Sequence, residues 1–180
     1  MIYDTPQKTD DGMRHVNALT EDKKRCFIQL NNTQVLDIDS KTGEVSIEIT
    51  GEDNQAKIEN VHTTNIKSAL ENSEQWFGKK VSEKAIDKAY IIDDSITADK
   101  IEATKIFTSK KEQVDFESLT PGTKCSVFIE FAGLWFARSH FGPSWNIVQV
   151  KIQEEKIPEV EEPPVEAYPE ECMFDDEESK

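Results

Sequence analysis

Residues 124–152 read KCSVFIEFAGLWFARSHFGPSWNIVQVKI, two long apolar runs joined by a loop at residues 138–143. Both runs are rich in β-branched and aromatic residues, a composition typical of strands, so the segment predicts an antiparallel hairpin. Gly133 interrupts the first run and indicates a bulge or bend. The hairpin is the longest strand signal in the chain.

Shorter elements precede the hairpin. Apolar and polar residues alternate at 44–50, the period of a half-buried strand, and two shorter apolar runs lie at 26–30 and 34–38. Apolar residues spaced as one helical face predict a helix over 65–77, and a second helix is expected over 82–90. The sequence therefore predicts an α+β fold, a small antiparallel barrel-like sheet with two inserted helices.

The ends of the chain differ from this domain. Residues 1–24 have few apolar positions and predict a flexible leader, which leaves 25–153 as the folded domain. Residues 154–180 contain twelve acids and two lysines, a charge of −10 out of −15 for the whole chain, with four prolines among them. Such a segment cannot build a core, so a disordered acidic tail is expected. The net charge excludes a basic, histone-like nucleic-acid binder.

Composition also bears on compartment and chemistry. The chain shows neither a secretory signal nor a membrane-spanning run, and its three cysteines form no CxxC pair, so we expect free thiols in a reducing cytoplasmic or nuclear compartment. Three histidines without metal-ligand spacing, and no phosphate-binding or nucleophile motif, make an enzyme the least favoured class. No cofactor is predicted.

The hairpin carries the predicted site. Aromatic rings fall on both of its faces and in its loop, although an open sheet needs a core on one face only, so some rings are expected at the surface. Rings interleaved with cations form a platform on which bases of a single strand stack while the cations hold phosphates. The predicted nucleic-acid-binding residues are Lys124, Trp135, Arg138, His140, Phe141, Trp145 and Lys151.

Each ring also has a purely structural alternative, which is that it packs in the core beneath the sheet. If all the rings are buried, the favoured function becomes that of a non-enzymatic structural or interaction protein, such as a virion component or an acidic adaptor that mimics DNA. The tail contributes a further candidate, because Phe174, Asp175 and Asp176 place an apolar side chain among acids, a composition suited to docking a protein partner.

The segment Leu134-Trp135-Phe136 … Phe141-Gly142-Pro143-Ser144-Trp145 … Val148-Gln149, with the acidic tail, resembles single-stranded-DNA-binding proteins of large nucleocytoplasmic DNA viruses and similar phage proteins. These proteins have the oligonucleotide/oligosaccharide-binding (OB) fold. The resemblance implies an OB-like barrel, binding of single-stranded DNA during viral replication, and a tail that recruits replication enzymes or competes with DNA. The two inserted helices and the acidic net charge depart from a minimal protein of this type.

Overall fold

A computed structural model describes residues 1–10 and 12–153. Nine strands and three α-helices follow one another along this part of the chain. The first three strands are β1 (Ile2–Tyr3), β2 (Gln7–Lys8) and β3 (Arg14–Leu19). The barrel strands and helices are β4 (Cys26–Ile38), β5 (Glu44–Glu48), α1 (Glu52–Glu71), α2 (Ser73–Phe77), α3 (Glu83–Ala89), β6 (Ser95–Phe107), β7 (Gln113–Val114), β8 (Lys124–Phe136) and β9 (Phe141–Ile152).

Five strands close into a ring. Strand β8 pairs with β4, β4 with β5, and β5 with β6, all antiparallel. Strand β6 then pairs with β9 in parallel, and β9 returns to β8 through the antiparallel hairpin. Closure removes the exposed edges of the five strands and puts one face of each into a shared interior. The predicted α+β fold with an OB-like antiparallel barrel is confirmed.

The expected flexible leader is wrong for residues 14–19, because they form strand β3, which pairs with β8 at residues 133–136, beyond the part of β8 that pairs with β4. His15 pairs with Trp135, and Val16 and Ala18 are buried. Only two residues of this strand enter the core, too few for their period to stand out from the polar sequence around them. The folded region therefore begins before residue 25.

Helix α1 begins thirteen residues before the predicted start at 65. Its buried face consists of positions 54, 58, 61, 65 and 69, and two of these, Asn54 and Asn65, are polar. The two asparagines break the apolar period, so the amino-terminal half of the helix was missed. Asn54 is buried because its amide Nδ2 donates to the backbone oxygens of Asn31 (2.7 Å) and Thr50 (2.8 Å). It ties the helix to β4 where that strand bulges.

The second predicted helix is confirmed as α3. The Ser82 hydroxyl accepts a hydrogen bond from the Ala85 amide and caps the helix. Three helices rather than two lie between β5 and β6, because the predicted helix over 65–77 is divided at Asn72 into the end of α1 and the short α2. The predicted acidic tail at 154–180 lies outside the described residues.

Candidate nucleic-acid interface

Two of the predicted stacking rings are in the core. Phe141 is 1% exposed and Trp145 is 5% exposed. The Phe141 ring contacts Tyr90 and Phe77 edge-on, with centroids 5.1 and 5.3 Å apart, and stacks on Phe136. Bases cannot reach rings enclosed in this way, so the prediction of Phe141 and Trp145 as stacking residues is wrong. Phe77 at the end of α2 and Tyr90 directly after α3 supply two of the rings that cover Phe141.

The other predicted residues divide between the two ends of the hairpin. Trp135 is half-buried on β8, and Arg138 and His140 are exposed in the turn. Lys124 and Lys151 are exposed at the opposite end, where Ser126 pairs with Lys151. The ten residues from Phe136 to Ser126 span roughly 33 Å at about 3.3 Å per residue. The predicted residues therefore do not form one site, and Phe174, Asp175 and Asp176 lie outside the described residues.

Exposed rings are present on a different part of the barrel. Along β8, Val127 and Ile129 point inward, so Phe128 points outward and is 39% exposed. On the neighbouring β4, Cys26 and Leu30 are buried, and Phe27 between them is 53% exposed. These rings lie on adjacent strands of the outer face, with Gln29 opposite Phe128 in the register.

A groove runs beside these rings, across strands β4, β8, β9 and β6; we call it the aromatic groove. Phe107 at the end of β6 contributes a third, half-buried ring. Lys111 and Lys151 bring positive charge to the groove, and none of the residues that line it is acidic. Lys124 lies two residues before Ser126 on the same strand, so it extends this basic rim. The polar and aromatic residues lining the groove are Gln29, Asn31, Phe107, Lys111, Ser126, Phe128, Gln149 and Lys151.

Backbone geometry holds the lysines near the rings. Lys111 has a positive φ of 68° in the turn between β6 and β7, and Phe107 pairs with both Gln113 and Lys151. The Lys57 ammonium of α1 donates to the backbone oxygen of Gln29 at 2.7 Å, which places a third cation beside the groove. Cations and rings thus alternate around one concave surface.

The carboxylate of Glu130 lies opposite the Phe27 ring, and its charge is neutralised. Glu130, opposite Phe27, is buried and accepts hydrogen bonds from the Arg25 guanidinium at 2.9 Å and from the Asn146 amide at 3.1 Å. Because the ion pair with Arg25 balances its charge, Glu130 does not give this face a net negative charge. Polyanion binding is therefore not opposed here.

The two cysteines of the described residues are buried and unreactive. Burial raises the pKa of the Cys125 thiol to about 11, and it also raises the pKa of Cys26. Both thiols therefore stay protonated at neutral pH and are poor nucleophiles. The described residues contain no group of three or more His, Cys, Asp or Glu side chains able to hold a metal ion. No helix among them is long and apolar enough to cross a membrane.

Sequence reasoning did not select Phe27, Phe107 or Phe128 as site residues. The alternation Cys26-Phe27-Ile28-Gln29-Leu30 could have identified Phe27 as exposed. The small or aliphatic residues at 26, 28 and 30 share one face of the strand, which leaves Phe27 on the other. No local pattern identifies Phe107 as exposed. The register of β6 with β9 shifts between Lys100 and Lys105, so the direction of later side chains depends on the partner strands.

Solved structures share this fold. The single-stranded DNA-binding protein from bacteriophage Enc34, in a C-terminal truncation, superposes with a TM-score of 0.50 at 13% identity, covering 84% of this chain and 95% of the other. The same phage protein in complex with ssDNA gives a TM-score of 0.49 at 13% identity, covering 84% and 96%. The expected resemblance to phage single-stranded-DNA-binding proteins is confirmed at the level of the fold.

Sequence comparison gives a family without an assigned activity. No curated protein matches the chain. One family model matches residues 31–176, which include the whole of the barrel from the middle of β4 onward. The chain therefore belongs to the family of unknown function DUF5871.

Proposed function

We propose that this protein binds single-stranded DNA in the aromatic groove, without catalysing a reaction. The observation that carries the proposal is the exposed Phe128 ring, which lines a groove with Lys111 and Lys151 and without acidic residues. The exposed Phe27 ring lies beside this groove, on the neighbouring strand β4. Two exposed rings on adjacent strands form an apolar patch, and such patches often mark a binding site. A base stacked on such a ring contributes roughly 1–3 kcal/mol, and lysines hold the phosphates between bases.

Fold similarity supports the same class of ligand. The phage protein that shares the barrel is named for binding single-stranded DNA, and barrels of this type bind oligonucleotides on the outer face of their strands. Of the residues predicted from sequence, Lys151 lies in the proposed site and Lys124 at its rim. We leave Trp135, Arg138 and His140 out of it, because they lie at the other end of the hairpin.

The proposal is tested by fluorescence anisotropy with a labelled oligo-dT of about 20 nucleotides, longer than the roughly 4–16 that one barrel of this type covers. Phe128→Ala should weaken binding by about 1–3 kcal/mol, or roughly 5- to 150-fold. Leu70→Ala is the matched control, because Leu70 is also 39% exposed but lies on α1. Equal affinities of the two variants, with both folded, would refute the assignment of the groove.

The lysines are tested by the salt dependence of binding. Each phosphate contact adds about 0.7 to the slope of log affinity against log salt for a single strand. Lys111→Ala together with Lys151→Ala should therefore lower the slope by about 1.4. Lys79→Ala together with Lys84→Ala removes two exposed lysines outside the groove and should leave the slope unchanged.

We infer, further, that the protein acts in the DNA replication of a large nucleocytoplasmic DNA virus or a phage, and that its acidic tail competes with DNA or recruits replication enzymes. The support is the resemblance of residues 134–149 and the charge of −10 carried by residues 154–180. A tail peptide should retain replication enzymes from infected-cell extract, and its Phe174→Ala version should not. Equal retention by the two peptides would count against the docking role of Phe174.

One observation favours a second function. The burial of Phe141 and Trp145 is what an interaction protein predicts for the hairpin, whether a virion component or an acidic DNA mimic. That alternative predicts that neither the full-length nor the truncated protein binds single strands at low salt. Binding in the aromatic groove predicts that both proteins do. The anisotropy measurement with full-length and truncated protein therefore separates the two.

A further inference from the structure

A second groove lies at the other end of the β6–β9 pair, and the proposed DNA site leaves it unused. Its floor is apolar, formed by Ile49, Ile58 and Ile66, and Ile92 at its edge is 59% exposed. Helix α1 forms one wall, and the start of β6 with the end of β8 and the start of β9 forms the other. We call it the acidic groove, for the side chains at its rim.

Five carboxylates surround this apolar floor, and the residues that line the groove include neither lysine nor arginine. None of the five takes part in an ion pair within the described part of the chain. Asp99 is exposed at the rim, and partial desolvation raises the pKa of its carboxyl group. The rim carboxylates are Glu44, Glu59, Asp93, Asp94 and Asp99.

The charge of the groove selects among possible occupants. Uncompensated carboxylates repel phosphates, so a nucleic acid is disfavoured. A second copy of this chain carries a net charge of −15 and is repelled as a whole. A basic segment with apolar side chains suits both features, since its cations meet the rim acids and its apolar groups cover the isoleucines. Trp135, half-buried at one end, offers its ring to a further cation.

We propose that the acidic groove docks a basic, partly apolar peptide segment of another protein. Asp99 and Phe107, which line the two grooves, are eight residues apart on β6, about 26 Å at roughly 3.3 Å per residue. A partner in the acidic groove therefore leaves the aromatic groove open. The docking does not depend on DNA binding, because it uses other residues.

The first test is hydrogen exchange of the full chain with a short synthetic peptide of alternating Lys and Leu. Protection is expected in α1 and in residues 91–99. A peptide of alternating Lys and Ser has the same charge without the apolar groups and should protect these segments much less. Protection confined to residues 154–180, or no binding of the Lys/Leu peptide, overturns the proposal.

The second test compares two pairs of substitutions that change the net charge equally. Asp93→Asn with Asp99→Asn should weaken binding of the Lys/Leu peptide roughly tenfold, since two ion pairs are lost. Glu83→Gln with Asp87→Asn, on α3 and outside the groove, should weaken it less than about twofold. Equal weakening by both pairs means that the peptide reads only the overall charge, which overturns the docking site.

Apolar contact and self-association complete the test. Ile92→Ser should weaken binding of the Lys/Leu peptide but not of the Lys/Ser peptide, whereas Leu70→Ser should change neither. Sedimentation velocity of the protein alone should show a monomer. If it shows oligomers that Asp93→Asn with Asp99→Asn dissolves, the groove holds a second copy of this chain, and the proposal is overturned.

Discussion

Gly133 is the residue at which backbone geometry most limits the choice of side chain. Its φ is 142°, and a Cβ at this position would overlap the backbone oxygen of Val16 on the adjacent β3. The absence of a side chain lets β3 approach β8 closely enough to pair, so this glycine joins the amino-terminal strand to the barrel.

We therefore expect Gly133→Ala to lower the free energy of unfolding by about 3 kcal/mol or more, because the clash adds to the cost of the positive φ. Gly78→Ala is the matched control. Gly78 also has a positive φ, of 78°, but open space around it, so a loss of about 1 kcal/mol is expected. Urea unfolding measures both, and equal losses would show that the contact with Val16 is not limiting.

A chain of hydrogen bonds connects four polar side chains beneath the helices. The Tyr3 hydroxyl donates to Asn65 Oδ1 at 2.6 Å, Asn65 Nδ2 donates to the Tyr90 hydroxyl at 2.8 Å, and that hydroxyl lies 2.7 Å from His62 Nδ1. Burial raises the pKa of Tyr3 to about 12 and lowers the pKa of His62 below 6.5, against the opposing effect of Glu59 and Asp93.

The lowered pKa of His62 predicts a dependence of stability on pH. An unfolded chain takes up a proton near pH 6.5 while folded His62 stays neutral, so the stability present above pH 6.5 falls as the pH drops towards the folded pKa. Urea unfolding at about pH 7.5 and 5.5 should show this loss, and His62→Gln should reduce it. Burial also lowers the pKa of His15, so His15 should account for part of the stability loss that remains in His62→Gln. An unchanged loss in His62→Gln would contradict the assignment, and His140→Gln, in the exposed turn, is the control.

At the scale of elements, α3 offers a direct test of a sequence signal. Ser82 caps the helix through its hydroxyl, which accepts from the Ala85 amide at 3.2 Å. Ser82→Ala should lower the free energy of unfolding by about 1 kcal/mol, because one amide at the helix start loses its partner. Ser82→Asp keeps a capping oxygen and should cost much less. If both substitutions cost the same in thermal or urea unfolding, the hydrogen bond is not what stabilises this end.

The elements show what the sequence could and could not predict. Strand β8 and the cap of α3 follow from local patterns, since alternation and Ser82 are visible over a few residues. The burial of Phe141 and Trp145 does not, because it depends on the closing of the barrel and on rings of α2 and the segment after α3 that are distant in sequence. Alternation identifies two faces of a strand, but only the tertiary fold decides that both are covered.

The exposed rings illustrate the same limit at the level of the site. Residue order alone placed Phe128 on the face opposite Val127 and Ile129, which is correct, but gave no reason to prefer it over Trp145. Pairing with β4 brings Phe27 beside Phe128 and makes the pair a surface. The cations of the hairpin look equivalent in sequence, and only the register separates Lys151 from Arg138.

At the scale of the molecule, the two grooves are lined by residues of opposite charge. The aromatic groove has lysines and no acidic lining residue, whereas the acidic groove has five carboxylates and no cation. The chain enters the tail beside the aromatic groove. Gln153 follows Lys151 by two residues, and its amide donates to the Lys124 backbone oxygen at 2.8 Å. A charge of −10 is therefore attached directly beside the lysines proposed to hold phosphates.

Attachment gives the tail an advantage over DNA in solution, since a tethered segment has an effective concentration on the order of millimolar. Deleting residues 155–180 should therefore tighten binding of the labelled oligo-dT, roughly tenfold at low salt, where charges are least screened. The fold should be unchanged, as none of the described core residues is removed. A chain of full length with the tail acids replaced by Gln and Asn separates charge from length and should match the truncated protein. The three affinities should converge as salt rises; if they are already equal at low salt, the tail does not compete for the aromatic groove.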